Sequence, residues 1–254
     1  MLSFKVVIPA RFGSTRLPGK PLLDIGGKPM VIRVVERALE SGASDVWVAT
    51  DHMGVMEAVK ERGYNAMMTS ESHASGTDRI AEVATALNWS DDEIVVNVQG
   101  DEPLMPAQLI RDVAQHLHDH SNAAISTACH PIQDLASLFS PHIVKVVTDR
   151  EGYAIYFSRA PIPYARDAFT KAQAYPTDLP AYRHIGIYAY RTGFLKIYSG
   201  LEPAGIEIFE ALEQLRVMWH GYRISVTVTD RAPAAGVDTE EDLIAVRRLF
   251  HLED

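Results

Sequence analysis

Four short apolar runs rich in β-branched residues set the frame of the first half of the chain: FKVVI (4–8), DVWVATD (45–51), YNAMMT (64–69) and EIVVNV (93–98). Helical stretches separate them. PMVIRVVERALESG (29–42) opens on a proline, which suits a first helical turn, and closes on Gly42. It places Val31, Val34, Val35, Ala38 and Leu39 on one face. HMGVMEAVKERG (52–63), GTDRIAEVATALN (76–88, with Thr77 as a candidate N-cap) and PAQLIRDVAQHLHDH (106–120) read the same way. Strand and helix alternating at short spacing predict right-handed βαβ units. The fold class is therefore α/β, a Rossmann-like, mostly parallel sheet with helices on both faces. In such sheets ligands bind beyond the C-terminal ends of the strands. The loops after Ile8, Thr50 and Val98 are the places to look for chemistry.

The second half is less regular. IVKVVTD (143–149) and GYAIYFSR (152–159) predict an antiparallel pair, and residues 158–180 read as a long proline-rich loop. RHIGIYAY (183–190) is a strand, IEIFEALEQLRVMWHG (206–221) one strong helix, YRISVTVTD (222–230) a strand and TEEDLIAVRRLF (239–250) a closing helix. That last helix has an acidic first turn and arginines in its last, matching its dipole. No linker, repeat or low-complexity tract interrupts the 254 residues, so a single domain is expected over 1–254. Within it, 1–130 is the regular α/β core, 131–205 an antiparallel elaboration that is a candidate for subunit contacts, and 206–254 a closing helix, strand and helix.

Charge and cysteine content exclude several functions. A net charge of -9 provides no basic field for nucleic acid or an anionic membrane. Any anion must be captured locally. The one cysteine, Cys129, allows neither an internal disulfide nor a cysteine-rich zinc site. The N-terminal apolar run stops at Pro9, too short for a signal-peptide core, and no stretch approaches a membrane span. A cytoplasmic protein without membrane insertion is expected.

The first loop, IPARFGSTRLPGKPL (8–22), carries Arg11, Arg16 and Lys20 among Gly13, Pro18, Gly19 and Pro21. A Walker A loop needs four residues between Gly and Gly-Lys, then Ser or Thr. Here five residues separate Gly13 from Gly19, and Pro21 follows Lys20. No G-x-G-x-x-G fingerprint occurs anywhere. Yet the elements of an anion site are present: glycines that let backbone N–H groups approach, prolines that stiffen the path, two planar guanidinium forks and one compact ammonium. A solvated basic loop with a structural salt bridge is the competing reading.

Elsewhere the residues taken alone leave alternatives. In VNVQGDEP (96–103), Asp101 sits at a strand tip, where a carboxylate suits either a hard cation such as Mg²⁺ or the N-cap of a turn. In GVDTEED (236–242), Thr239 with Asp242 makes a capping box, which leaves Asp238 free. HASGTDR (73–79) offers Ser75, Gly76 and Thr77 as donors at a helix N-terminus, and Arg79 either joins them or pairs with Asp78 or Glu82. Glu210 and Gln214 stand four apart on one predicted helix face. His116 and His120 share that spacing, which could grip a transition metal; imidazoles also suit a helix C-terminus, and this second reading is preferred.

Taken together, PARFGSTRLPGKPL, VATD (48–51), HASGTDR, VNVQGDEP, VKVV (144–147), YFSRAPIP (156–163), RHIGIYAYR (183–191), LEQLR (212–216) and GVDT occur in the order seen in one family. The chain resembles the sugar nucleotidyltransferases, in the form of the 3-deoxy-D-manno-octulosonate (Kdo) cytidylyltransferases. The resemblance implies the nucleotide-diphospho-sugar transferase fold and transfer of CMP from CTP to Kdo with release of pyrophosphate, which activates the sugar for lipopolysaccharide biosynthesis. It implies Arg11, Lys20, Asp101 and Asp238 as catalytic, and Mg²⁺ held by Asp101 and Asp238. It implies nucleotide contacts at Ala10, Arg11, Arg16, Lys20, Ser75, Gly76, Arg79 and Gln99. It places sugar contacts at Arg159, His184, Glu213 and Gln214, implies a homodimer, and assigns nucleotide binding mainly to 1–130, sugar binding and dimerisation to 131–205 and metal binding to 206–254. Another acidic sugar, such as 8-amino-Kdo, stays open as acceptor. A metal-dependent glycosyltransferase would call for Asp-x-Asp at the sheet edge, where QGDEP offers Asp-Glu. A non-catalytic nucleotide sensor would need no acceptor pocket.

Overall fold

The computed structural model describes residues 2–13, 16–73, 75–171, 175–230, 232–234 and 236–251. Ser14 and Thr15 of the first loop, Ala74 of HASGTDR and residues 172–174 of the proline-rich segment lie outside the described residues. The first half contains β1 (Lys5–Ala10), the two-residue strands β2 (Asp24–Ile25) and β3 (Lys28–Pro29), α1 (Met30–Glu40), β4 (Asp45–Thr50), α2 (Met53–Lys60), β5 (Asn65–Met68), α3 (Gly76–Ala86), β6 (Ile94–Asn97) and α4 (Ala107–Asp119). The second half adds β7 (Ala123–Pro131), α5 (Leu135–Phe139), β8 (Lys145–Thr148), β9 (Ala154–Ser158), α6 (Arg166–Lys171), β10 (Tyr182–Arg191), α7 (Thr192–Tyr198), α8 (Gly205–Glu210), α9 (Gln214–Trp219), β11 (Arg223–Val228) and α10 (Glu240–His251).

Nine strands form the main sheet among the described residues. Its order is β11-β7-β10-β6-β1-β4-β5, with β8 on the end of β10 and β9 beside β8. β6, β1, β4 and β5 run parallel, and β11 is parallel to β7. β10 is antiparallel to both neighbours on this path, β6 and β7. The mostly parallel α/β expectation holds, and so does the antiparallel elaboration, since β8 and β9 form the expected hairpin. Parallel strands covered on both faces should read as continuous apolar runs. Val6, Val7, Ile8, Val95 and Val96 are fully buried accordingly. One core, with Ile8, Val96, Val35, Val59 and Ile110, packs α1, α2 and α4 on one face. The other, with Val7, Val95, Ile80, Leu195 and Leu215, packs α3, α7 and α9 on the opposite face.

The chain leaves β1 for β4 and β5, then crosses to β6 on the other flank of β1. This reversal opens a crevice at the carboxyl ends of β1 and β6, where the loops at 11–22 and 99–103 begin.

Three expectations need correction. The N-cap of α3 is Ser75, whose Oγ accepts the Asp78 N–H, and not Thr77. Residues 158–180 contain α6 where a plain loop was expected. The single helix over 206–221 is two short ones, α8 and α9, broken where Ala211 takes a left-handed φ of 51°. The terminator is tertiary. Arg159 Nε donates to the Glu210 carbonyl at 2.7 Å, while the Glu210 carboxylate accepts from Ser158 Oγ at 2.6 Å and from Arg159 N at 2.9 Å. These bonds tie down the end of α8 and offset the cost of about 1 kcal/mol for a non-glycine residue in that conformation. With the break between them, Glu210 and Gln214 do not share a helix face.

Candidate active site

The first loop is held down at its root. Thr50 Oγ1 donates to the Ala10 carbonyl at 2.7 Å, and Phe12 N donates to Asp51 Oδ1 at 3.0 Å. The Phe12 ring stacks on His52 with centroids 3.7 Å apart. Gly19, at φ 68°, then turns the chain into a 3-10 turn at Lys20–Leu22 that carries Lys20 back over the crevice. Asp51 has a second partner, because its Oδ2 lies 3.0 Å from Arg79 Nη2. Arg79 is completely buried, with Nη1 on Thr69 Oγ1 and Nε without a partner among the described residues. Of its two sequence readings, neither the Asp78 nor the Glu82 ion pair forms among the described residues.

Above this floor lies a cleft of about 540 Å³. Ala10, Arg11, Arg16 and Lys20 line it from the first loop. Gly76 and Arg79 of α3 and Gln99 and Asp101 beyond β6 line the opposite side, and Asp238 closes the end. All but one of the expected nucleotide residues therefore meet in one place, together with both expected metal ligands. Ser75 does not line this cleft, because its hydroxyl turns to Asp78 Oδ2 at 2.9 Å as a helix cap. Gly100 explains the tightness of the corner: a Cβ there would stand 2.8 Å from the Pro9 carbonyl oxygen.

The charges of the cleft are interleaved. Lys20 Nζ donates to Asp101 Oδ2 at 2.6 Å, to the Val237 carbonyl at 2.9 Å and to Asp238 Oδ1 at 3.1 Å. Burial alone would lower the Lys20 pKa, but the two carboxylates outweigh it and raise it. Arg16 Nη2 reaches Asp238 Oδ1 at 3.3 Å from an exposed position, and Arg11 stays largely exposed with Nε 3.9 Å from Asp51. Glu102, beside Asp101, has Oε2 buried without a partner among the described residues, and burial with the neighbouring Asp101 and Asp238 charges pushes its carboxyl up to about 8.

These residues fit a magnesium ion. Asp101 and Asp238 converge on a single cation, the Lys20 ammonium, which stands in for a metal between them. Among the described residues no group of three or more His, Cys, Asp or Glu side chains could hold a metal. Two carboxylates suffice for Mg²⁺ when phosphate oxygens and water complete the shell. His116 and His120 lie at the C-terminal end of α4, where hydrogen bonds and packing, not a charge on the helix dipole, hold His116. Their rings stack at 4.0 Å, His116 Nδ1 meets the hydroxyls of Ser126 and Ser225, and His120 Nδ1 meets the His116 carbonyl.

A second cavity, of about 210 Å³, adjoins the first and shares Gly76 and Gln99 with it. Glu213 and Gln214 line it, brought in by the break before α9, with Asn97, Tyr188, Tyr190 and Tyr198 around them. Burial raises the Glu213 pKa against the opposing pull of Arg216. The other two expected sugar contacts are elsewhere. The Arg159 guanidinium is spent on carbonyls, donating to Glu210 at 2.7 Å and Pro141 at 2.9 Å. His184 meets Thr127 Oγ1 at 2.9 Å and lines a separate cleft of about 370 Å³ that also reaches Glu102 and Asp238. Packed edge-on to Phe157, its imidazole is pushed down by burial to about 3 and stays neutral.

Sequence reasoning missed Asp51, Phe12 and Asn97. The signal for Asp51 was available, since it ends VATD at a strand tip already marked for chemistry. Phe12 and Asn97 gave none, because an aromatic in a loop and an amide in an apolar strand have no periodic signature.

A cation-bearing loop facing two carboxylates across the switch point of a mostly parallel sheet, with a polar cavity alongside, is the build of a nucleotidyltransferase. The family model for cytidylyltransferases matches residues 5–224, and the chain belongs to that family. It is also similar to the solved structure of CMP:2-keto-3-deoxy-manno-octonic acid synthetase complexed with CTP. The identity is 44%, the match covers 99% of this chain and 100% of that one, and the TM-score is 0.89.

Proposed function

We propose that the protein transfers the CMP moiety of CTP to the anomeric hydroxyl of Kdo, giving CMP-Kdo and pyrophosphate. The observation that carries this reading is the pair of adjoining cavities, one cationic and one lined by tyrosines, Glu213 and three amides, joined through Gly76 and Gln99. That layout suits a triphosphate and a polyhydroxylated acceptor side by side. The sugar hydroxyl oxygen attacks the α-phosphorus, the α–β phosphoanhydride bond breaks, the hydroxyl proton leaves to water and pyrophosphate departs. Arg11, Arg16 and Lys20 take the triphosphate oxygens, where charge grows in the transition state. The Arg79–Asp51 pair fixes the loop root, so that these cations need not reorganise during the reaction. Mg²⁺, when bound by Asp101 and Asp238, supplies charge neutralisation at the α-phosphate and acidifies the attacking hydroxyl. No covalent enzyme intermediate is required.

Pyrophosphate release from CTP tests the proposal. Release is expected only when Kdo is added, and only CTP is expected to serve among the four nucleoside triphosphates. Release without sugar, or equal release with all four nucleotides, would overturn it. A parallel assay with 8-amino-Kdo decides between the two acidic sugars. The product would serve as a sugar donor in lipopolysaccharide biosynthesis, and a cytoplasmic location follows from the use of CTP. Among the described residues no helix is long and apolar enough to cross a membrane. Ile155, Tyr164 and Phe139, all exposed in the 131–205 elaboration, supply apolar surface for a second copy. A homodimer is expected, and a monomer mass at micromolar concentration would refute it.

A further inference from the structure

Asn97 is the last residue of β6, a strand whose other members, Ile94, Val95 and Val96, are buried and apolar. It is itself 3% exposed, and its Oδ1 has no hydrogen-bond partner among the described residues. Gln214, 7% exposed on α9, leaves Nε2 without a partner in the same way. The two lie far apart in the chain, on β6 and α9, and line the same 210 Å³ cavity. One presents a bare acceptor and the other a bare donor. Buried polar groups in a native structure are almost always paired, so two complementary orphans in one cavity mark a ligand's place. The rest of the wall agrees, with Tyr188, Tyr190, Tyr198 and Leu212 offering ring and methyl surface to the C–H faces of a sugar.

We propose that Asn97 is a specificity-determining contact of the acceptor site, its Oδ1 accepting a hydrogen bond from one hydroxyl of the acceptor sugar while Gln214 Nε2 donates to a neighbouring oxygen. The inference rests on the proposed sugar transfer and deepens it. A site built to bond a hydroxyl discriminates strongly against an analogue that lacks it, because its own polar groups are then left buried and unpaired. The amide at position 97 thus selects for a hydroxyl at one position of the sugar, a discrimination separate from capture of the acid group.

The test uses Asn97→Leu, close in volume and without the acceptor, and Asn97→Ala, which only removes atoms. For each, KM and kcat are measured for Kdo, and the CTP dissociation constant is measured without sugar. The expected result is a rise of about tenfold or more in the sugar KM, with CTP binding unchanged within about twofold. Across a series of monodeoxy-Kdo analogues, one analogue should abolish the difference between wild type and variant. A sugar KM within about twofold of wild type in the variants that fold overturns the proposal. An equal loss of CTP binding, or an equal penalty on every deoxy analogue, also overturns it. Should neither variant fold, the wild-type deoxy series is decisive: one sharply rejected analogue supports the contact, and uniform rates across the series overturn it. Wild-type turnover separately tests the proposed function. The variant ratio is read with whichever acidic sugar the wild type uses, and a wild type that accepts none overturns both.

Discussion

Asp51→Asn keeps the shape of the side chain and removes its charge beneath the nucleotide loop. Arg79 is then a fully buried guanidinium that has lost its carboxylate partner at 3.0 Å, with an amide Nδ2 or a neutral oxygen facing it. Breaking one side of a buried ion pair costs about 3–5 kcal/mol, since the remaining charge is neither hydrated nor compensated. The Asp51 side chain is 12% exposed, so water reaches part of the gap and the lower end, about 3 kcal/mol, is expected. For a chain of this size that corresponds to a fall in Tm of roughly 6–12 °C. Thermal and urea unfolding of the two proteins measures it. Phe12 N also loses its charged acceptor, so the loop loosens and the KM for CTP should rise by about tenfold, equivalent to about 1.4 kcal/mol. A loss of stability under about 1 kcal/mol would refute the reasoning, because Arg79 would then be compensated by other means. A second variant isolates the cause. Adding Arg79→Met to Asp51→Asn removes the stranded charge, so the double variant should be more stable than Asp51→Asn alone. A double variant as unstable as the sum of both singles would show that the pair is not coupled.

Asp101→Asn and Asp238→Asn should each lower kcat by about a hundredfold or more with Tm little changed, as measured by pyrophosphate release and calorimetry. Asp238→Asn should also bind metal-free CTP more tightly than wild type in calorimetric titration, while losing most of the gain that Mg²⁺ confers. Gly100→Ala sets a methyl 2.8 Å from the Pro9 carbonyl oxygen, so the β1 and β6 tips must part; a loss of about 1–3 kcal/mol in unfolding is expected, with impaired CTP binding. His116 is pushed down to about 4 by burial and then by His120, so between pH 6.5 and 4 the unfolded chain takes up a proton there that the folded chain refuses, and stability falls as pH drops through that window. With part of the ring exposed the effect is about 1–2 kcal/mol, and unfolding measured at pH 7 and 4.5 should fall less for His116→Asn than for wild type.

Where apolar periodicity carries the information, the sequence reading reached the structure. β1, β4, β5 and β6 and the helices between them lie within a few residues of their expected bounds, because each strand reads as a short apolar run and each helix carries its apolar residues on one face. The errors share another cause. The break between α8 and α9 is imposed by Arg159 and Ser158, about fifty residues away, on a stretch that is helical by its own pattern. β7 (AAISTACHP) was not read as a strand, since Ala, Ser and Thr blur its alternation and pairing with β10 and β11 secures it instead. At the candidate site, the loop cations and both aspartates were legible as motifs. Arg159 and His184 are expected to touch sugar; in the structure the guanidinium donates to the carbonyl that ends α8 and the imidazole meets Thr127. A motif gives the residue type at a position, and the direction of its side chain is decided by carbonyls and hydroxyls that arrive from elsewhere in the fold.

The charge balance of the cleft explains how an acidic protein accommodates a triphosphate without a basic surface. Each cation of the first loop already lies near a carboxylate: Lys20 with Asp101 and Asp238, Arg16 with Asp238, Arg11 near Asp51. The loop is therefore not strained by its own repulsion, and it does not present an open sink for stray anions. The same pairing sets a cost for metal-free CTP, which must draw Lys20 and Arg16 away from Asp238 and leave that carboxylate beside its own phosphates. A nucleotide that arrives with a divalent cation escapes this cost, since the carboxylates exchange an ammonium for a doubly charged ion and the released cations turn to phosphate. Under the proposed metal role, selectivity for the metal-bound nucleotide is expected from where two aspartates and one lysine sit. The buried Glu102 carboxyl, pushed up to about 8 by burial and by Asp101 and Asp238, reports the same crowding of negative charge. Neutralising Asp238 should therefore strengthen binding of the bare nucleotide while it lowers turnover by about a hundredfold or more, because one carboxylate opposes the first and serves the second.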